Sequence, residues 1–341
     1  MALARRNDRG AIRVEFLEPL LAADFLGKAL WVWLLFIALV VALLAFDLGV
    51  LHRDQHEIEI RESLWLSAGY ISVACAFGGW VWWYIGSSSG IQYFTGFLIE
   101  KSLSLDNVFV IALIFSYFAV PRQYQHRVLF WGILGAIVLR GLMIGLGTAL
   151  VAEFDWILYV FGAFLLFTGV KMLVTGDHPP DIRNNPLLRF LKRRLRVTED
   201  FAGGHFWVRK PDPATGRRTR YATPLFLALC LVESADLIFA VDSVPAIFAI
   251  TTDPYIVYTS NIFAILGLRA LYFALSAMIH RFTYLKYALS LILIFIGGKI
   301  FYAQIWGKID PAISLGITSA LLMASILVSL LRSRRRPASS G

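Results

Sequence analysis

The chain has 341 residues, 58% hydrophobic and 16% charged, with a mean hydropathy of +0.68 and a formal net charge of +9. That balance excludes a soluble globule and indicates a polytopic membrane protein. The excess charge is no nucleic-acid footprint, because Thr175–Ala222, with 11 Lys/Arg against 5 Asp/Glu, and Leu331–Gly341, with 4 Arg, account for all of it.

The N-terminal arm, residues 1–28, lacks the succession of basic, apolar and cleavage regions of a signal peptide. About 20 apolar residues cross a bilayer, and nine stretches reach that length. Two of them, Ala29–Val50 and Leu64–Ile85, form a unit over 29–85. Three more, Ile91–Val120, Val128–Val151 and Phe154–Val174, form a second unit over 91–174. A basic loop over 175–222 leads to Thr223–Ile250, Tyr255–Ile279 and Thr283–Ala303, a third unit over 223–303. A last span, Ala312–Leu331, lies in 304–331, followed by a basic tail over 332–341. Turn chemistry at Gly86–Gly90, Pro121-Arg122, Thr251–Pro254 and Ile309–Pro311 separates neighbouring spans. The expected fold is all-α, with about nine transmembrane helices.

Basic residues fix the sidedness. With the C-terminus cytoplasmic, inside segments carry about 21 Lys/Arg and outside segments about 6, five of these in the N-terminal arm. In the long inside loop, Pro186–Val197 spaces its apolar residues like a helix, with basic residues between them. It reads either as an interfacial helix on anionic headgroups or as a solvated linker. His205–Arg209 and Arg218–Tyr221, flanking Pro211–Gly216, suggest a small hairpin.

The second and third units repeat one another. Asp106-Asn-Val-Phe109 falls over Asp236-Leu-Ile-Phe239, Leu139-Arg140-Gly-Leu142 over Leu268-Arg269-Ala-Leu271, and Phe167-Thr-Gly169-Val-Lys171 over Phe295-Ile-Gly297-Gly-Lys299. Phe154 and Tyr159 likewise fall over Phe282 and Tyr287. The first copy begins outside and the second inside, so a 3+3 inverted repeat is expected, a signature of secondary transporters. A duplicated scaffold that no longer transports is the alternative.

Carboxylates in these spans carry the chemistry. Each ionised acid at the bilayer centre costs roughly 2.5–3.5 kcal/mol, so intramembrane acids mark a path or site for something positively charged. The candidates are Glu100, Asp106, Asn107, Glu233, Asp236 and Asp242. Asp106 and Asp236 fall near mid-depth, and Glu100, Ser104 and Asn107 share a helical face. Asp242 falls on the face opposite Glu233 unless the helix breaks near Pro245. Ser102, Ser104, Ser234 and Ser243 complete an almost all-oxygen set, which suits magnesium, calcium or manganese.

Arg140 and Arg269 either neutralise the acids when the ion is absent or form permanent structural pairs. Lys171 and Lys299, near span ends, read as snorkelling side chains. Asp47 reads as a helix-end acid facing water, with a cytoplasmic entrance as the second possibility. Cys75 and Cys230 are isolated and read as small buried hydrophobes. A hydrolase is not expected: neither Asp106 nor Asp236 has a Tyr-Asp or Gly-x-Gly-Asp context, and His56-Glu57 lacks a second His.

At Gly96–Phe109, Phe154–Lys171, Glu233–Phe248 and Asn261–Ala270 the chain resembles the TerC family of bacterial integral membrane proteins, most closely its Alx branch. The likeness runs from the first span to Leu331. It implies an inner-membrane Mn²⁺ exporter in which the intramembrane acids handle the ion, with no permanently bound cofactor. The expected partners are the lipid bilayer and a divalent metal ion, without nucleic acid; protein partners are left open. Tellurium resistance, for which the family is named, is an indirect effect on this reading, since carboxylates suit an oxyanion poorly. A membrane scaffold held by structural ion pairs is the competing function.

Overall fold

The computed structural model describes residues 22–51, 60–154, 156–174, 182–211, 217–275, 285–307 and 309–335. The helices are α1 (Leu30–Leu51), α2 (Ile60–Tyr84), α3 (Ser87–Tyr117), α4 (Arg122–Glu153), α5 (Ile157–Val174), α6 (Pro186–Arg194), α7 (Pro224–Phe248), α8 (Pro254–Ile265), α9 (Leu268–Leu275), α10 (Leu285–Trp306) and α11 (Pro311–Arg335). Proline sets many of their starts: Pro121 caps α4, and α6, α7, α8 and α11 each open on one. Among the described residues, eight helical stretches are long and apolar enough to cross a membrane. The 31-residue α3 falls outside that set because it carries Glu100, Lys101 and Asp106.

Two expectations about breaks are corrected. The turn at Gly86–Gly90 is narrower than its composition suggests, because α3 already starts at Ser87. Gly86 alone makes the bend at φ 132°, a conformation open to glycine. Conversely, the span beginning near Tyr255 is interrupted at Leu266–Gly267, dividing α8 from α9. The stretch 276–279 of that span, Phe282, His56, Glu57, the arm 1–21 and the tail beyond Arg335 lie outside the described residues.

The most extensive helix pairings are α5 with α10, α3 with α8 and α4 with α7. Contacts between α3 and α7 run antiparallel: Gly96 abuts Ile247, while Asn107 meets Asp236. The same holds for α5 and α10. A Cβ at Gly169 would lie 2.8 Å from the Ser290 carbonyl, and one at Gly297 would lie 2.7 Å from the Gly162 carbonyl. Only glycine permits this approach of backbones, the small-residue packing typical of membrane helices. The two contacts are related: the alignment of Gly169 with Gly297 also places Gly162 over Ser290, so each contact maps onto the other when the copies are exchanged.

Helix α6 packs on the protein. Asn185 Oδ1 caps it, accepting from the backbone N–H groups of Leu187 (2.9 Å) and Leu188 (3.2 Å). Leu188 is 1% exposed and joins a core with Val128, Leu225 and Leu227. Leu187, Leu188 and Leu191 of the face expected to lie on lipid, or to be a solvated linker, are therefore spent on the chain's own core, while Phe190 stays exposed. The expected hairpin is present as β3 (Trp207–Pro211) and β4 (Arg218–Ala222), antiparallel strands, with its tip 212–216 outside the described residues. A second, unexpected hairpin, β1 (Asp24–Phe25) with β2 (Lys28–Ala29), precedes α1. Its Lys28 pairs with Asp253 at 2.9 Å.

Candidate functional site

Arg140 is the nineteenth of the 32 residues of α4 and is wholly buried. An ionised guanidinium at that depth must find all its partners in protein. Its Nε donates to Asp236 Oδ2 at 3.2 Å and its Nη2 to Asp236 Oδ1 at 2.9 Å, a bidentate pair. Its Nη1 donates to Glu100 Oε1, and also to Ser243 Oγ and Asn261 Oδ1, both at 3.3 Å. Asn261 closes the network by donating Nδ2 to Glu100 Oε2 at 2.9 Å, and Asn107 Nδ2 donates to Asp236 Oδ1 at 3.3 Å.

Four helices supply this cluster: α3 gives Glu100 and Asn107, α4 gives Arg140, α7 gives Asp236 and Ser243, and α8 gives Asn261. None of the six residues is more than 7% exposed. Beside Asn107 and Asp236 lies a cavity of about 20 Å³, walled by Leu129, Gly132, Ala136 and Leu268. That is room for one water-sized occupant. Asn107 Oδ1 is buried with no hydrogen-bond partner among the described residues.

The expected residues distribute unevenly. Asn107, rather than Asp106, reaches Asp236. Asp106 is half-buried. The adjacent position on a helix is turned about 100° away, which separates neighbours in sequence. Ser104 donates to the Glu100 backbone carbonyl at 2.8 Å, and Ser102 and Ser234 bond backward in the same manner. Of the four serines only Ser243 enters the cluster.

Glu233, one turn before Asp236, is half-buried, fills the space beside Gly135, and has its Oε2 without a hydrogen-bond partner among the described residues. Asp242 stands on the other side of an α7 that continues unbroken past Pro245, and accepts from Thr168 Oγ1 at 3.4 Å. Of the two alternatives for Asp242, a separate location is thus the one observed.

Asp47 requires correction, and it is the acid that Arg269 pairs with. Asp47 does not face water: it is 7% exposed, accepts from Tyr70 Oη at 3.1 Å, and pairs with Arg269 Nη1 at 3.2 Å. Arg269 therefore neutralises an acid from α1, outside both repeats. Lys171 is exposed, and Lys299 lines a cavity of about 510 Å³ at the ends of α7 and α10 and the starts of α3, α5 and α11.

One member of the cluster and one neighbour escaped sequence reasoning. Asn261 opens the last of the four matched motifs, but an amide does not stand out as a charge does. Lys101, hidden beside Glu100, donates to the Ala264 carbonyl at 3.1 Å where α8 ends. Such a break leaves carbonyls without intrahelical donors, and the ammonium supplies one.

Carboxylate, amide and hydroxyl oxygens converge here without a soft donor, the chemistry of a hard-cation site. Among the described residues no three His, Cys, Asp or Glu side chains are grouped as a ready metal cage. Arg140 occupies the carboxylate oxygens that a cation would need.

Residues 85–337 match the model of the "Integral membrane protein TerC family". An "Uncharacterized membrane protein STKORF319" of Myxococcus xanthus is 49% identical over 307 residues, 90% of this chain and 94% of that protein. An uncharacterized membrane protein of Rickettsia bellii is 47% identical over 300 residues, 88% and 97% of the two chains. The Escherichia coli K12 protein named "Putative membrane-bound redox modulator Alx" is 46% identical over 306 residues, 87% and 93% of the two. No solved structure matches the chain.

Proposed function

The chain belongs to the TerC family of integral membrane proteins, and on that footing we propose that it exports a divalent metal cation, Mn²⁺ foremost, across the bacterial inner membrane with its C-terminus in the cytoplasm. One observation carries the reading: a buried cation already bridges Glu100 of the first copy and Asp236 of the second. Two carboxylates balance a divalent charge, and Asn107, Asn261 and Ser243 can replace water oxygens as the ion sheds its hydration. Arg140 then acts as a resident counter-cation, displaced when the ion loads and restored when it leaves. The antiparallel, exchangeable contacts of α3 with α7 and α5 with α10 support alternating access of two inverted units around this cluster.

A scaffold function is the second reading, favoured by the completeness of the Arg140 hydrogen bonding. The name carried by the Escherichia coli relative points to redox modulation. This chain's Cys75 and Cys230 are free, on α2 and α7, and neither is the small buried hydrophobe expected, Cys75 being exposed and Cys230 half-buried. Elemental analysis of cells separates transport from scaffolding. Cells making the protein should hold less manganese under manganese load than cells without it. Glu100→Gln or Asp236→Asn, at equal protein levels, should abolish the difference. Normal relief of manganese load by both variants would leave the scaffold reading standing.

A further inference from the structure

The β3–β4 hairpin carries a face that its own fold does not explain. Directly opposed residues of an antiparallel pair share one face. The register sets Trp207 opposite Ala222, Arg209 opposite Arg220, and Pro211 opposite Arg218. Trp207, Arg209, Arg218 and Arg220 are all exposed. The reverse face is half-buried, and its Lys210 is neutralised by Asp200 at 2.7 Å. Like charges placed directly opposite one another disfavour a hairpin. The Arg209–Arg220 pairing is therefore a local cost that an external anion would offset.

The place of the hairpin says which anion. The Trp207 ring packs on Phe226, in the first turn of the membrane helix α7, with centroids 4.6 Å apart. The Arg220 guanidinium stacks over Trp207 at 5.6 Å. The arginine strip thus begins beside the first turn of the candidate membrane span Pro224–Phe248. At about 3.3 Å per residue the Arg209–Arg220 pair lies only ~7 Å along the strands from the Trp207 position. That is comparable with a headgroup layer of roughly 5–8 Å and with a Debye length of about 8 Å. At any tilt of the hairpin, these arginines stay within electrostatic reach of phosphates.

We propose that this arginine–tryptophan face rests on anionic phospholipid headgroups of the leaflet from which α7 emerges. Trp207 acts as the interfacial anchor, and the arginines bind phosphate oxygens. The contact is independent of the transported ion.

The test uses full-length protein in nanodiscs made of phosphatidylcholine alone or with phosphatidylglycerol. Amide exchange is followed in Trp207–Pro211 and Arg218–Ala222. A basic residue near an anionic surface contributes about fivefold in binding, so anionic lipid should slow exchange in both strands by at least about fivefold at low salt. The effect should collapse at 0.5 M salt. Arg209→Gln with Arg220→Gln should remove the lipid dependence, whereas Lys210→Gln, on the reverse face, should keep it. Because each protein is its own reference in the two lipids, altered hairpin stability does not mimic the result. Equal exchange in both lipids for the unmodified chain would overturn the proposal and leave an acidic protein or a second copy as the occupant. Loss of the dependence in Lys210→Gln to the same degree would also overturn it, since charge alone, not this face, would then be responsible.

Discussion

Arg140 and Arg269 hold matching positions in two similar three-helix stretches, yet they live in different surroundings. Arg140 lies in an unbroken helix and joins acids from both copies. Arg269 is the second residue of α9, just past the Leu266–Gly267 break, and pairs with Asp47 of α1, outside both stretches. The comparison teaches that a charge repeated in sequence need not be repeated in role. One arginine ties the 91–174 stretch to the 223–303 stretch, while the other ties the second of these stretches to α1.

The largest expected effect breaks the central arginine. Removing one partner of a buried ion pair costs about 3–5 kcal/mol, so Arg140→Gln should depress thermal stability in detergent severely or prevent recovery of folded protein. Adding Glu100→Gln and Asp236→Asn to the same chain should restore stability, because no unpaired charge remains. A wild-type midpoint for Arg140→Gln alone would mean that water or another group satisfies the carboxylates.

At the flanking arginine the effect should be smaller. Arg269→Gln also breaks a buried ion pair but leaves Tyr70 donating to Asp47, so its cost should fall at the lower end of about 3–5 kcal/mol. Metal flux, corrected for protein amount, should survive. Flux loss with intact stability would place Arg269 in the transport path and end the distinction drawn above.

Exchange symmetry can be sharpened at the α5–α10 contact. Gly169→Ala and Gly297→Ala each drive a methyl against a backbone carbonyl, and overpacking of this kind costs about 1–3 kcal/mol. Similar melting shifts are expected for both. A shift in one alone would show that the two copies do not pack equivalently. Least of all should Glu233→Gln matter. Its unpartnered Oε2 gives no stabilising bond to lose, so stability should stay within about 1 kcal/mol.

Much of this was legible in the sequence. Lengths of apolar residues located nearly every helix, because a bilayer tolerates backbone only in helical form. Charges that lipid disfavours revealed Glu100, Arg140 and Asp236. What stayed hidden depends on how helices rotate against one another. The choice of Asn107 over Asp106 turns on one residue's angle, and the Asp47–Arg269 pair joins positions 222 residues apart. Asn261 gave no charge to notice, and the break at Leu266–Gly267 has no proline to announce it. The fate of α6 was hidden for another reason: an apolar helical face looks the same whether lipid or protein covers it.

The most direct test compares two buried aspartates in proteoliposomes. Uptake of ⁵⁴Mn²⁺ would be measured for Asp236→Asn and Asp47→Asn, each normalised to correctly inserted protein. The account predicts at least a tenfold loss in Asp236→Asn, because a carboxylate of the ion site has gone, and flux within about twofold of normal in Asp47→Asn, whose partner Arg269 only braces the fold. Tenfold corresponds to about 1.4 kcal/mol of lost stabilisation for the bound or moving ion, well below the usual cost of losing one charge from such a site. Full transport by Asp236→Asn, or equal losses in the two variants, would contradict the central claim that the Glu100–Arg140–Asp236 cluster is where the ion is handled.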